Sequence, residues 1–260
     1  MAVDDDAPEV GAGIDEDAMV PVPTTGRVFT RERRVRLGDA SPAGRLRLDA
    51  LARYLQDVSN DDTRDAAMAD AMTWVVRRIL LRVETFPVFD EAMRLRTFCS
   101  GTGPRWAARR VSLDGERGGA VEADTLWVFV DGAGRPAPLP PGFLDVYDTP
   151  SSRRPVRARL THAGPPASVA APATPWPLRF ADFDVLGHVN NAAYWSAVEE
   201  LLASRRRLRA PLDAELEFRA PVEVGADLAL RVLDGEDGGL AVWFTGGDVL
   251  HASAVLRPRR

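Results

Sequence analysis

From Leu48 onward, apolar residues recur at helical spacing: Leu48, Leu51, Ala52, Leu55, Val58, then Ser59. Asp49 and Asp57 fall off that face, so the pattern predicts an amphipathic helix. Before it, the run from Val28 to Leu37 mixes β-formers with charges and predicts an edge strand. After it come four predicted strands, over 74–84, 92–101, 106–113 and 120–131. Gly, Pro and Asp punctuate the joints, and Asp114-Gly115-Glu116-Arg117-Gly118-Gly119 reads as a hairpin.

The second half repeats that order. A strand is predicted over 176–181, a helix over 189–208, and strands over 215–224, 226–233, 240–245 and 249–256. Tyr194, Val198, Leu201 and Leu202 give the second helix one apolar face. The joint Asp234-Gly235-Glu236-Asp237-Gly238-Gly239 matches the one at 114–119 in character. The repeat predicts an α+β fold of two tandem units, each a long helix wrapped by an antiparallel sheet. Each unit would leave a bare sheet edge, so the two are expected to join there as one continuous, pseudo-dimeric sheet. The expected boundaries are a disordered acidic tail at 1–26, a first unit at 27–147, a linker rich in Pro, Ala and Arg at 148–175, and a second unit at 176–260.

Composition narrows the function classes. The chain of 260 residues has a net charge of −5. Its pI is near 5.4, which argues against a nucleic-acid partner. No leader-like segment and no apolar run long enough to span a membrane is present, so the expectation is a cytoplasmic protein with no membrane association. Every Lys-or-Arg position is Arg, which reads as coding bias. One cysteine, Cys99, and three scattered histidines exclude a disulfide and make a zinc site improbable; no metal is expected.

The candidate chemistry lies between Arg179 and Tyr194, where a strand is expected to give way to a helix. Asp184 and His188 stand four residues apart there, with Gly187 between them. Amide groups at a helix start are unpaired and sit at the positive pole of the dipole, so they can polarise a carbonyl while a carboxylate delivers water. Asp184 is the expected general base or nucleophile and His188 its helper. Gly187, with the His188 and Val189 amides, is the expected oxyanion site. Asn190 and Asn191 are the expected substrate-positioning residues. Asp182 is expected to serve structure. The first half offers Asp39-Ala40-Ser41-Pro42-Ala43-Gly44-Arg45 against this segment, with a longer spacing from Asp to Gly and no His, so its site is expected to be dead.

The string His188-Val189-Asn190-Asn191-x-x-Tyr194 resembles the active segment of the acyl-acyl-carrier-protein thioesterases, which are tandem hotdog proteins. Residues 72–78, 83–87 and 124–131 look like that family's first hotdog. The resemblance implies hydrolysis of the thioester joining a fatty acyl chain to acyl carrier protein, ending chain elongation in fatty acid biosynthesis. It implies no cofactor, and either a monomeric pseudo-dimer or a homodimer. It makes the first half the shaper of an acyl pocket, with Met68, Met72, Trp74, Val76 and Ile79 as candidate lining. The chain departs from the plant pattern at Leu186, where Asn is usual, and at Pro221, where Glu is usual; Glu223 is a candidate substitute. Acyl-coenzyme A is the alternative substrate; a hydratase or dehydratase, or a non-catalytic acyl-binding protein, are the remaining alternatives. An Arg-rich rim would favour the acidic carrier protein, and Arg105, Arg109, Arg110, Arg205, Arg206, Arg207 and Arg219 are its candidates.

Overall fold

The computed structural model describes residues 19–68, 73–169, 173–205 and 207–259. The first unit runs β1 (Phe29–Arg34), α1 (Leu48–Asp65), β2 (Thr73–Thr85), β3 (Ala92–Thr102), β4 (Trp106–Gly115), β5 (Ala120–Val130) and the short α2 (Phe143–Val146). The second runs β6 (Thr174–Pro175), α3 (Asn191–Ala203), β7 (Leu212–Phe218), β8 (Ala229–Asp234), β9 (Leu240–Gly246) and β10 (Val249–Pro258).

The strands form one sheet in the order β1-β3-β4-β5-β2-β7-β10-β9-β8-β6. The order is the same read inward from either edge, so a pseudo-twofold axis passes between β2 and β7. This is the tandem hotdog arrangement: two helices on one face of a single antiparallel sheet. At the junction β2 and β7 pair antiparallel, with Ile79 opposite Leu216, Leu81 opposite Ala214 and Val83 opposite Leu212. These six residues belong to the large core that the sheet shares with α1 and α3. The alternate positions Arg78, Arg82, Asp213, Glu215 and Glu217 therefore face the opposite side, where Arg82 bonds Asp213. Two bare edges thus become a buried centre.

The linker crosses that second face. Thr102 bridges Pro155, the Glu217 carboxylate accepts the Thr161 and His162 amides at 2.5 and 3.1 Å, and Trp243 donates its indole N–H to the Ala163 carbonyl at 2.8 Å. No helix among the described residues is long and apolar enough to cross a membrane.

Four expectations need correction. None of the strand expected over 176–181 forms: the strand lies just before it at Thr174–Pro175, and Phe180–Asp182 coils into a turn of 3-10 helix. The helix expected over 189–208 is α3, Asn191–Ala203; it starts late because Asn190 is the N-cap, and Arg205 lies beyond its end, paired with Asp234. The strand expected over 215–224 ends at Phe218, where the Arg219 and Ala220 amides both turn to the His251 carbonyl, and its neighbour starts only at Ala229. Of the tail expected to be disordered, residues 1–18 lie outside the described residues, but Val20 is fixed by its carbonyl accepting from Arg110 Nε at 3.1 Å.

Candidate active site

The site is built from a turn, a cap and a helix start. Arg179 and Asp182 bracket the 3-10 turn: the Asp182 carboxylate accepts the Arg179 amide at 2.8 Å and its guanidinium at 2.7 Å. Burial alone would raise the Asp182 pKa, but the Arg179 hydrogen bonds and charge more than offset this and hold it below the usual carboxylate range. Asp182 is therefore the structural carboxylate of the pair.

A tight turn follows. Gly187 donates its amide to the Asp184 carbonyl at 3.0 Å, and Asp184 donates its own to the His188 carbonyl at 3.0 Å. Gly187 sits at φ +76°, in the left-handed region where a Cβ is disfavoured. The turn wraps around the Asp184 side chain, whose Oδ1 accepts the Leu186 amide at 2.9 Å. The residue type at Leu186 is immaterial to that contact, since only its backbone takes part and its side chain is exposed.

Asn190 joins the turn to the helix. Its Oδ1 accepts the Ala192 amide at 2.9 Å, capping α3, and its Nδ2 donates to Asp184 Oδ2 at 3.3 Å. Gln56 Nε2, from α1 of the other unit, donates to the same Asn190 Oδ1 at 3.3 Å. Both Asp184 oxygens are thus held by donors. Asn191 is the first residue of α3, so its amide has no acceptor within the helix. The amides of Gly187 and Val189 are already engaged, by the carbonyls of Asp184 and Val222. Of the expected backbone donors, those two are turned inward.

Asp184 and Asn190 line a cleft of about 1100 Å³ running between the two helices, together with Gln56, Asp182 and Glu199. His188 lies outside that lining. It pairs across an isolated bridge with Glu223, so the candidate substitute for the missing plant Glu sits opposite the histidine rather than opposite Asp184. The arginines on the cleft are Arg33, Arg47, Arg53 and Arg179. None of them was among the expected rim residues. Arg109 is paired with Asp62, Arg110 with Glu122 and Arg219 with Glu217, and Arg206 lies outside the described residues.

A second cavity of about 240 Å³ opens between α1 and the sheet of the first unit. Trp74, Trp127 and Phe143 supply its aromatic wall, with Cys99, Ala107 and Ala108 beside them. On the helix side, Ser59 donates its hydroxyl to the Leu55 carbonyl and Thr63 to the Ser59 carbonyl, so both hydroxyls are satisfied by their own helix. Burial pushes the Cys99 thiol up, away from a thiolate nucleophile. Of the expected lining residues, Trp74 is on this wall and Met68 packs in the cluster behind it with Phe143 and Tyr147. Val76 and Ile79 are in the main core instead, and Met72 lies outside the described residues.

Gln56 lines both cavities, and the sequence reading missed it. Its signal was present: Ala52, Gln56, Ser59 and Thr63 form one helical stripe on which polar residues replace apolar ones. The alignment of the two halves also needs correction. Arg36 and Asp39 bracket a 3-10 turn as Arg179 and Asp182 do. The Ser41 amide bonds the Arg45 carbonyl as Asp184 bonds His188, and the Gly44 amide bonds Ser41 as Gly187 bonds Asp184. Asp39 is therefore the counterpart of Asp182, with the same spacing to Gly. Ser41 stands where Asp184 does, Arg45 where His188 does, and Arg47 where Asn190 does. The first unit has no carboxylate at the position equivalent to Asp184.

Residues 26–147 match the acyl-ACP thioesterase N-terminal domain and residues 169–242 the acyl-ACP thioesterase C-terminal domain. An uncharacterized protein of Mycobacterium tuberculosis is 31% identical over 242 residues, spanning 92% of this chain and 96% of the relative. Among solved structures, an acyl-ACP thioesterase from Bacteroides thetaiotaomicron superposes with a TM-score of 0.73 at 18% identity, covering 88% of this chain and 97% of its own. The 12:0-ACP thioesterase from Umbellularia californica gives 0.73 at 18%, covering 88% and 96%. At that identity the two structures speak for the fold.

Proposed function

Because the chain belongs to the acyl-ACP thioesterase family, a family of thioester hydrolases, we propose that it releases free fatty acid from acyl carrier protein in the cytoplasm, with Asp184 as its working carboxylate. The observation that carries this reading is the pair of donors, Leu186 N–H and Asn190 Nδ2, that hold Asp184 on the wall of the inter-helix cleft.

In the proposed reaction the acyl chain enters the pocket walled by Trp74, Trp127 and Phe143, and the thioester lies in the cleft beyond Gln56. Asp184 takes a proton from water as the water oxygen bonds to the thioester carbon. The oxyanion faces the start of α3, where the Asn191 amide and the helix dipole stabilise it. The C–S bond then breaks, and the proton passes from Asp184 to the departing thiolate. Thioester and water become acid and thiol, with no cofactor. His188 acts on the same turn through its backbone: its carbonyl accepts the Asp184 amide, and its bridge to Glu223 ties the turn to the strand-end loop.

The division of labour proposed is a pocket-forming unit over 27–147, a linker over 148–175 and a reactive unit over 176–260, so that one chain holds a complete pseudo-dimer. The cleft arginines Arg33, Arg47, Arg53 and Arg179 are each paired with an acidic side chain, so the choice of carrier protein rests on the family match rather than on cleft charge. The test is release of free acid by the purified chain from acyl-carrier-protein and acyl-coenzyme A thioesters of graded length. Preference for the protein-bound series supports the proposal. Equal rates on both series would move the assignment to acyl-coenzyme A, and no release from either would end it.

A further inference from the structure

The two helices present equivalent residues to each other's starts, but the residues differ in charge. Gln56 and Glu199 are each the ninth residue of their helix, counted from Leu48 and from Asn191. Under the pseudo-twofold axis they exchange places. Gln56 reaches the N-cap of α3, while Glu199 reaches the start of α1. There the Glu199 carboxylate accepts the Leu48 amide at 3.1 Å and a two-pronged hydrogen bond from Arg45 at 2.6 and 3.1 Å. A carboxylate at a helix start gains from both the free amides and the dipole. The protein's own anion thus occupies, in the first unit, the place that the thioester oxygen would take in the second.

From this exchange we infer that Gln56 is a positioning residue for Asp184, contributed by the opposite unit, and that it must be a neutral amide because a carboxylate there would close the site as Glu199 closes its twin. The inference rests on the hydrolase reading of the Asp184 cleft. Gln56 Nε2 and the Ala192 amide both donate to Asn190 Oδ1, which leaves Asn190 Nδ2 as the end that faces Asp184. A carboxylate at position 56 cannot donate. It would draw Asn190 Nδ2 toward itself, strip Asp184 of one donor, and add a second negative charge beside it. Gln56 also lines both the cleft and the apolar pocket, so a substrate bridging the two passes directly along it.

The test compares the full-length wild type with Gln56→Glu and Gln56→Ala, using an acyl thioester the wild type turns over, across a pH range of roughly 5 to 8.5, with thermal melting of each variant alongside. Gln56→Glu is expected to lower kcat about 100-fold at the alkaline end. Measured against wild type at each pH, it should recover about tenfold toward the acid end, where a protonated glutamate can donate as glutamine does. Gln56→Ala is expected to lose about tenfold in kcat by a factor that does not vary with pH, with KM within about twofold. A ratio of Gln56→Glu to wild type that stays flat with pH, or lies within about threefold of unity at the alkaline end, overturns the inference. If Gln56→Glu does not fold, Gln56→Ala decides: unchanged kcat overturns it, and the kcat loss with steady KM supports it. A wild type inert toward every thioester overturns the hydrolase reading itself, whereas an active wild type with a flat ratio removes only the role of Gln56.

Discussion

Asn190 faces two ways at once: its Oδ1 caps α3 through the Ala192 amide, and its Nδ2 lies 3.3 Å from Asp184 Oδ2. The residue that starts the helix is also the residue that holds the acid. These roles separate under substitution. Asn190→Asp keeps a capping oxygen but replaces the donor to Asp184 with an acceptor, so near-normal stability and at least a tenfold loss of turnover are expected. Asn190→Ala removes both, and should also cost about 1 kcal/mol of stability. Denaturant midpoints and hydrolysis rates on the same preparations read the two effects.

Arg179 and Asp182 make stability depend on pH in a stated direction. The folded-state pKa of Asp182 is depressed, so its contribution is present above the unfolded carboxylate value of about 3.9 and is lost as pH falls through the lower folded value. Urea midpoints taken at falling pH should drop more steeply below about pH 4 for the wild type than for Asp182→Asn. Parallel curves would contradict the ion pair's role.

Glu199 closes the first unit's helix start, and removing it leaves Arg45 and the Leu48 amide without their acceptor. Glu199→Ala is expected to destabilise by about 2 kcal/mol, discounted from the buried-pair range because Arg45 is partly exposed. For a chain of this size that corresponds to a fall in Tm of roughly 4–8 °C. Calorimetry checks it.

Ala108 on β4 is buried on the wall of the smaller cavity. Ala108→Leu adds volume there, so activity should shift toward shorter acyl chains, with the longest substrates losing tenfold or more at a stability cost of about 1–3 kcal/mol. Chain-length profiles of the released acids test whether this cavity holds the acyl group.

Much of this architecture was visible along the chain, because periodicity is a local property. The stripe through Leu48, Leu51, Leu55 and Val58 specified α1, and the two glycine-rich joints marked the hairpins between β4 and β5 and between β8 and β9. Two errors share one cause. The stretch through Phe180 alternates like a strand, but Arg179 and Asp182 satisfy each other locally and coil it. The same device at Arg36 and Asp39 hid the true alignment of the halves, since Asp39 looked like the counterpart of Asp184 when it is the counterpart of Asp182. Gln56 and Glu199 could not be placed from sequence, because their contacts cross between helices more than 130 residues apart.

The most direct test of the whole account is release of free acid by Asp184→Asn, a substitution of nearly equal shape that keeps an acceptor for the Leu186 amide. Turnover is expected to fall by about 1000-fold or more, with the melting profile close to that of the wild type. Hydrolysis that survives the substitution within a few-fold of wild type would contradict it.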